Sequence, residues 1–434
     1  MNSKHALKLA LMAISAVGVG APQLLAAQTP SPAPEAPAPT IAGWPEFVEA
    51  LRVLPDRLLA KLPEPLRNDP QIQQEVARLI LESLTASSID AISGDGDHPA
   101  FLPQLNQTLN IGQPNADTNY RMARITPGGT YRLRGDRGTL RIATIGQVGP
   151  TPGEPGAKAQ PGPTRVYDDL NTLHTDKKGR FDVLLSPSKP AGYKGDWWQL
   201  EPTANKLLLR LVSSNWGVEH DPTISIERVD GPLEKPRTPA ADLEQRLRRL
   251  PGAAGFMSAL FVDHVTKLRE QGYVNKLKVL DVSQMGGLTG QFYYEGAYEL
   301  ANDEALIVEA TVPPKCAYRS LILTNEIYET TDWYDNHSSL NDTQTDVDKD
   351  GILRIVVSAH DPGVRNWLDT AGYARGAVQG RWTGCETQPV PTVRKVAFAE
   401  VRSALPPETR YVTPEQRREV ISKRRLALQE RPLW

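Results

Sequence analysis

The sequence predicts a mainly β protein with α additions: antiparallel sandwich or jelly-roll-like layers, N-terminal helices, a helical insert and a C-terminal helix. Three observations carry this. Apolar and charged residues alternate with period two in two separate stretches of chain, as half-buried strands do. Helical spacing is confined to three places, so strands do not alternate with helices as a parallel α/β sheet requires. The 37 prolines and 33 glycines favour many turns and short strands.

The chain opens with Lys4 and Lys8, an apolar run over residues 9–21, and Leu25-Ala26-Ala27. A short positive region, about 13 apolar residues and a small-residue cleavage site read as an export signal over residues 1–27. The run falls short of the ~20 residues that span a bilayer. After cleavage no transmembrane span is expected, and the location is periplasmic or secreted. The Pro/Ala tract that follows, at 28–40, cannot build a core and reads as an extended spacer.

Residues 41–115 form an N-terminal helical segment. Phe47, Leu51, Leu54 and Leu58 recur at helical spacing, which predicts a helix over residues 44–62. Asp69-Pro70 supplies a cap and a first-turn proline for a second helix, whose stripe is Ile72, Val76, Leu79 and Ile80. The first β region, 116–237, contains YRLR at 131–134, LRI at 140–142 and strands at 181–185, 206–212 and 223–229. Its longest loop, 149–163, is almost free of apolar residues and reads as a surface excursion or lid.

Thr238-Pro239 opens a helical insert over 238–285, interrupted at Pro251-Gly252. Strands return over 286–405, at 291–295, 306–312, 318–327, 352–359 and 377–382. Thr413 to Gln416 has capping-box spacing and starts the helix of 406–434, whose many arginines and lysines read as a solvated face.

A net charge of −2 gives no reason to expect a nucleic-acid partner. There is no Gly-x-Ser-x-Gly elbow, no His-Glu-x-x-His pair and no phosphate-cradling glycine loop, and no cofactor is expected. Two cysteines exclude a disulfide-rich scaffold. In an exported chain Cys316 and Cys385 form one disulfide or stay as two thiols. Asp346, Asp348 and Asp350 before Gly351 resemble the front of a calcium loop, but Val357 stands where its bidentate glutamate belongs. An acidic hairpin turn is the better reading, and no metal is assigned.

His220-Asp221-Pro222 and His360-Asp361-Pro362 repeat one tripeptide, for which a turn is the simplest role. NADTNYR at 115–121 gathers Asp117, Tyr120 and Arg121 ahead of a strand. Trp197 and Trp198 add indoles near a strand end. Aromatic walls with a few polar groups suit a small-molecule or carbohydrate site, and core tryptophans with ordered turns use the same letters.

These blocks resemble the bacterial domain-of-unknown-function 1214 family. The match rests on NADTNYR (115–121), FDVLLS (181–186) with GDWW (195–198), IERVD (226–230), SSLNDTQ (338–344), DPGVRNWLDTAG (361–372) and GRW (380–382). The resemblance implies a β-rich sandwich or jelly-roll with helical additions in an exported protein, and brings no agreed reaction. It groups Asp117, Arg121, Asn341, Asp361, Asn366, Trp367 and Arg381 as one constellation that orders turns or lines a shared cleft.

Three functional readings follow. The first is binding of a small apolar or sugar-like ligand in a cleft between the β regions, by Tyr120, Trp197, Trp198, Asn341, Asn366 and Trp367. The second is a carboxylate-dependent hydrolase or lyase, with Asp117 and Asp361 as acid and base and Arg121 or Arg381 stabilising anionic charge. The third is a structural envelope module.

Overall fold

The computed structural model describes residues 40–150, 167–281 and 290–432. The export signal, the spacer through residue 39 and most of the 149–163 loop lie outside them. The described residues from 42 onward form one compact unit.

Four sheets carry the fold. In the first β region, β1 (Leu102–Leu105), β2 (Thr118–Arg124), β8 (Lys206–Val212), β4 (Ile142–Val148) and β5 (Tyr167–Asp169) make one sheet in the order β1-β2-β8-β4-β5. Its partner is β7-β6-β3-β9, from β7 (Asp196–Gln199), β6 (Arg180–Ser186), β3 (Tyr131–Asp136) and β9 (Thr223–Arg228). The second region has β10 (Lys278–Leu280), β11 (Gln291–Glu299), β17 (Arg375–Cys385), β13 (Cys316–Leu323) and β14 (Ser339–Asn341), ordered β10-β11-β17-β13-β14. Its partner is β16-β15-β12-β18, from β16 (Trp367–Asp369), β15 (Ile352–Ser358), β12 (Glu304–Thr311) and β18 (Thr392–Ala397).

Adding nine to every strand number of the first region gives the second region's order in both sheets. The parallel pairs also correspond, β6 with β7 and β15 with β16. The chain is therefore a tandem structural repeat, and the four-stranded sheet of each sandwich is mixed while the five-stranded sheet is antiparallel throughout. Each repeat is a sandwich. Ile145, Leu207, Leu209 and Leu211 of one sheet pack against Leu133, Val183 and Leu185 of the other. Tyr294, Leu321 and Trp382 likewise pack against Leu306, Val308 and Val357.

Local sequence is duplicated at one turn. Asp176 N–H donates to Arg180 O and Gly179 N–H to Asp176 O, both at 2.9 Å. Asp348 N–H donates to Ile352 O at 3.0 Å and Gly351 N–H to Asp348 O at 2.9 Å. The second of these turns is the calcium-like segment. Its carboxylates meet a guanidinium: Arg354 contacts Asp348, Asp350 and Glu309 at 2.8, 2.7 and 2.9 Å.

The helices are α1 (Trp44–Arg52), α2 (Leu54–Leu59), α3 (Glu64–Arg67), α4 (Pro70–Ser93), α5 (Ala240–Ala259), α6 (His264–Glu270), α7 (Val401–Ala404) and α8 (Pro414–Glu430). Asp69 caps α4, its Oδ1 accepting from Gln71 N–H at 2.8 Å. The single helix expected over 44–62 breaks at Val53, because Pro55 disfavours continuous helix just before it. Pro251 lies inside α5 without ending it, since that helix is held along α4 by tertiary packing. Pro239 sits at the N-cap of α5 in extended backbone, and Thr238 supplies no cap.

Cys316 and Cys385 face each other across β13 and β17 and are disulfide-bonded. On α8, Thr413 and Gln416 form the expected capping box. The solvated-face reading of that helix holds for Arg418, Lys423 and Arg425, which are exposed. It is corrected for Arg417, Arg424 and Arg431, seven residues apart, which are all buried against the body of the protein.

Candidate functional site

The two repeats meet along a cleft of about 210 Å³, lined by both five-stranded sheets, the 105–113 segment and the helical insert. Alternation along the strands decides which side chains reach it. Leu209 points into the first core, so its neighbour Arg210 points outward; its register partner on β2 is Tyr120. In the second repeat Gly380 faces inward beneath the Tyr294 ring, so Arg381 points outward; its register partner on β11 is Tyr293. Because β2 and β8 correspond to β11 and β17, each repeat offers one Tyr–Arg cross-strand pair. All four side chains line the cleft.

Arg381 is buried, with its guanidinium 5.4 Å from the Tyr293 ring centroid. Its Nη2 donates to Gln113 Oε1 at 3.1 Å, whereas Nη1 has no protein partner. Gln113 Nε2 and Gln379 Oε1 beside it are likewise buried without partners. A desolvated polar atom left unpaired costs about 1–3 kcal/mol, so three in one place mark a spot built for something other than packing. Leu105, Ile111, Met257, Leu260, Phe261 and Leu280 make the rest of the wall apolar.

Behind the wall lies a polar relay. Gln379 Nε2 donates to the Tyr328 hydroxyl at 2.6 Å, which donates to Glu295 Oε2 at 2.9 Å. His264 Nε2 lies 2.9 Å from both Glu295 oxygens. A carboxylate only accepts, so Nε2 carries a proton and Nδ1 is the basic nitrogen. Burial, with the Glu295 charge beside it, pushes the Tyr328 hydroxyl well above the usual tyrosine range.

The backbone is strained here. Gln113 (φ 65°) and Tyr328 (φ 66°) are two of four non-glycine residues with left-handed backbone among those described. Such residues cost about 1–3 kcal/mol each and gather where structure serves a ligand. At Gly112, φ is 62° and a Cβ would come 2.7 Å from the Phe261 ring, so only glycine lets the insert close over the strand.

Of the residues proposed from sequence, only Tyr120 and Arg381 line this cleft. Asp117 is a buried hub: Trp216 Nε1 and Asn341 Nδ2 donate to its Oδ1 at 2.8 Å each, and the Tyr318 hydroxyl to Oδ2 at 2.6 Å. Burial raises its carboxyl above the usual range, against those three hydrogen bonds. Asp361 instead pairs with Arg417 at 2.9 Å. Arg121 is buried and donates to Pro432 O at 3.0 Å. Asn366 pins a turn, accepting from Asp346 N–H at 2.9 Å and donating to Asp346 O and Arg354 O.

Trp198 packs on the first core, while Trp367 belongs to a cluster with Ile307 and Val356 in the second region. Trp197 donates to Ser186. The tryptophans thus share no wall. Tyr293, Gln379, His264, Glu295 and Tyr328 were missed. Tyr293 and Arg381 sit at matching strand positions to Tyr120 and Arg210, a signal readable only once the repeat is seen.

Residues 297–379 match the family model described as a protein of unknown function, DUF1214, in line with the resemblance read from sequence. This span covers most of the second repeat. An uncharacterized protein from Burkholderia cenocepacia has a similar structure, at a TM-score of 0.75 and 27% identity, covering 83% of this chain and 98% of that one. The VPA0106 protein from Vibrio parahaemolyticus aligns at a TM-score of 0.43 and 12% identity, over 74% of this chain and 98% of that one. No curated protein matches the sequence.

Proposed function

We propose that this chain is an exported binding protein that holds a small apolar molecule bearing an oxyanion head in the cleft between its two repeats. One observation carries the reading: equivalent Tyr–Arg pairs from the two repeats converge on one cleft. There Arg381, Gln113 and Gln379 keep partnerless polar atoms beside an apolar wall. Arginine offers a planar fork that matches a carboxylate in a desolvated setting. The apolar wall supplies the remaining contact area. A sugar-like ligand is less well suited, because Trp197 and Trp367 are engaged in their own repeats.

Export is supported by the amino-terminal pattern and by the disulfide, which belongs to an oxidising compartment. Among the described residues no helix is long and apolar enough to cross a membrane.

Thermal-shift screening with matched small acids, alcohols, amines and sugars tests the reading. Apolar acids are expected to raise the melting temperature of the wild type and to do so clearly less in Arg381→Gln. Equal shifts with amines or sugars, or none with acids, would overturn it.

A second reading has one observation in its favour, the Glu295–His264 pair in the cleft wall. It would make His264 a general base in a hydrolase or lyase. Asp117, with its oxygens committed to three donors, and Asp361, paired with Arg417, support no such role. Ester and lactone turnover that disappears in His264→Asn, with the acid-induced thermal shift retained, would establish it.

A further inference from the structure

The three buried arginines of the C-terminal segment are not used alike. Arg431 Nη2 contacts Asp221 Oδ1 at 2.8 Å and so fastens the segment to the first repeat. Arg417 Nε contacts Asp361 Oδ2 at 2.9 Å and fastens it to the second. These are the aspartates of the duplicated His-Asp-Pro tripeptide, which stand at unrelated positions, one before β9 and one between β15 and β16. Between them Arg424 meets no carboxylate within ion-pair distance among the described residues. Its Nη1 donates to Gln344 Oε1 at 2.9 Å, its Nη2 to Ser339 Oγ at 2.7 Å, and Nε is buried with no partner. The guanidinium lies 4.5 Å from the Trp216 ring centroid.

Arg424 borders a half-open pocket of about 440 Å³ lined by α8, the 214–217 turn and the second repeat. Arg365, Arg417 and Lys423 also border it, and Glu430 is its single acidic lining residue. Arg365, Arg417 and Lys423 already face Asp346, Asp361 and Glu419. Arg424 alone has only neutral partners. Burial, with Arg417 nearby and Asp117 opposing it through space, brings its guanidinium down to about 10, so it stays cationic at neutral pH. His337 beside it is buried and held neutral by the same burial and by Arg424 and Arg417. Trp216, Val412, Val420 and Ala427 give the cavity an apolar flank.

A buried cation whose only opposing charge, Asp117, acts through space and not in contact is costly, and an oxyanion in direct contact is the ligand that relieves it. We propose that this cavity under the C-terminal helix is a second binding site, for an oxyanion carried on a small apolar body, with Arg424 as its anchor. It is separate from the cleft between the repeats and does not depend on it.

Calorimetric titration of the folded chain with hexanoate, hexyl phosphate, inorganic phosphate and hexylamine tests this, in the wild type and in Arg381→Gln. Hexanoate or hexyl phosphate is expected to bind in both proteins and hexylamine in neither. The tighter of the two acids, together with inorganic phosphate alone, distinguishes a carboxylate from a phosphate ligand. In the Arg381→Gln background, which removes the cleft's anchor, Arg424→Met should weaken binding by at least about tenfold. Ala427→Trp, which fills the pocket from a half-buried helix position, should do the same there without touching a charge. Unchanged affinity on adding Ala427→Trp to Arg381→Gln, or hexylamine binding as well as hexanoate, would overturn the proposal even if Arg424→Met failed to fold.

Discussion

Trp197 and Trp367 occupy the same place in the two repeats. Trp197 pairs in register with Leu184, two residues before Ser186, and Trp367 with Val356, two residues before Ser358. Each indole N–H donates to that serine's hydroxyl, at 2.9 and 3.0 Å. Each serine in turn donates at 2.8 Å to a carbonyl two residues on, Ser188 O or His360 O. Two side chains thus lock the parallel strand of each sandwich, and two tryptophans that look like a ligand wall in sequence become a duplicated latch.

If so, the two latches act independently. Trp197→Phe, at a half-buried position, should cost about 1 kcal/mol for the lost hydrogen bond. Trp367→Phe, in a filled core, should cost about 2–3 kcal/mol because volume is lost as well. The double variant should be additive in urea denaturation, since the sites share no partner. Ligand affinity should not move.

Asp117 is expected to behave as a structural group. Asp117→Ala strands three donors, Trp216, Tyr318 and Asn341, and should lower stability by about 3 kcal/mol or more, read by chemical denaturation. A catalytic aspartate would give the opposite pattern, with stability kept and turnover lost.

The disulfide closes a separation of 69 residues. In the chain-entropy model, replacing Cys316 and Cys385 by serine should remove about 4 kcal/mol. Reductant should lower the denaturation midpoint of the wild type and leave the serine variant unaffected.

Glu82 supplies a pH signature. Burial, and then the charge of Glu329, raise its carboxyl to about 7, with Arg78 opposing. A folded-state value above the unfolded one means that the protonated form is favoured in the fold. That contribution is full below ~4.3 and lost as pH rises through 7. Unfolding free energy should therefore fall across pH 5–8, and Glu82→Gln should flatten the fall. An unchanged slope would assign the dependence elsewhere.

Period-two alternation located most of the longer strands of both β regions but not short ones such as β1, β10 and β16, and the capping residues at Asp69 and Thr413 located two helix starts, because these signals are local. The duplication was not legible. The repeats share strand order, the Tyr–Arg pairs, the Trp–Ser latches and a few turn residues such as Asp176 and Gly179 against Asp348 and Gly351, single letters too scattered to show as a sequence repeat. The cleft was legible in two residues: Tyr120 stood out in the polar run ahead of a strand, and Arg381 in a block that resembles the family. Glu295, His264 and Tyr328 come from a strand, a helix start and a strained turn distant in sequence, and only packing of the insert over the sheet joins them. The arginine stripe was misread because a basic helix on an acidic chain is ordinarily solvated. Here Asp221 and Asp361, far apart in the chain, draw two of its arginines inward.

The most direct test is calorimetric titration of phenylacetate, whose aromatic body and carboxylate suit the cleft, into the wild type, Arg424→Met and Arg424→Met with Arg381→Gln added. The account expects the wild type and Arg424→Met to bind at the cleft with equal affinity, and the addition of Arg381→Gln to Arg424→Met to cost about tenfold or more. Equal affinity for Arg424→Met with and without Arg381→Gln, or no binding by Arg424→Met, would contradict it.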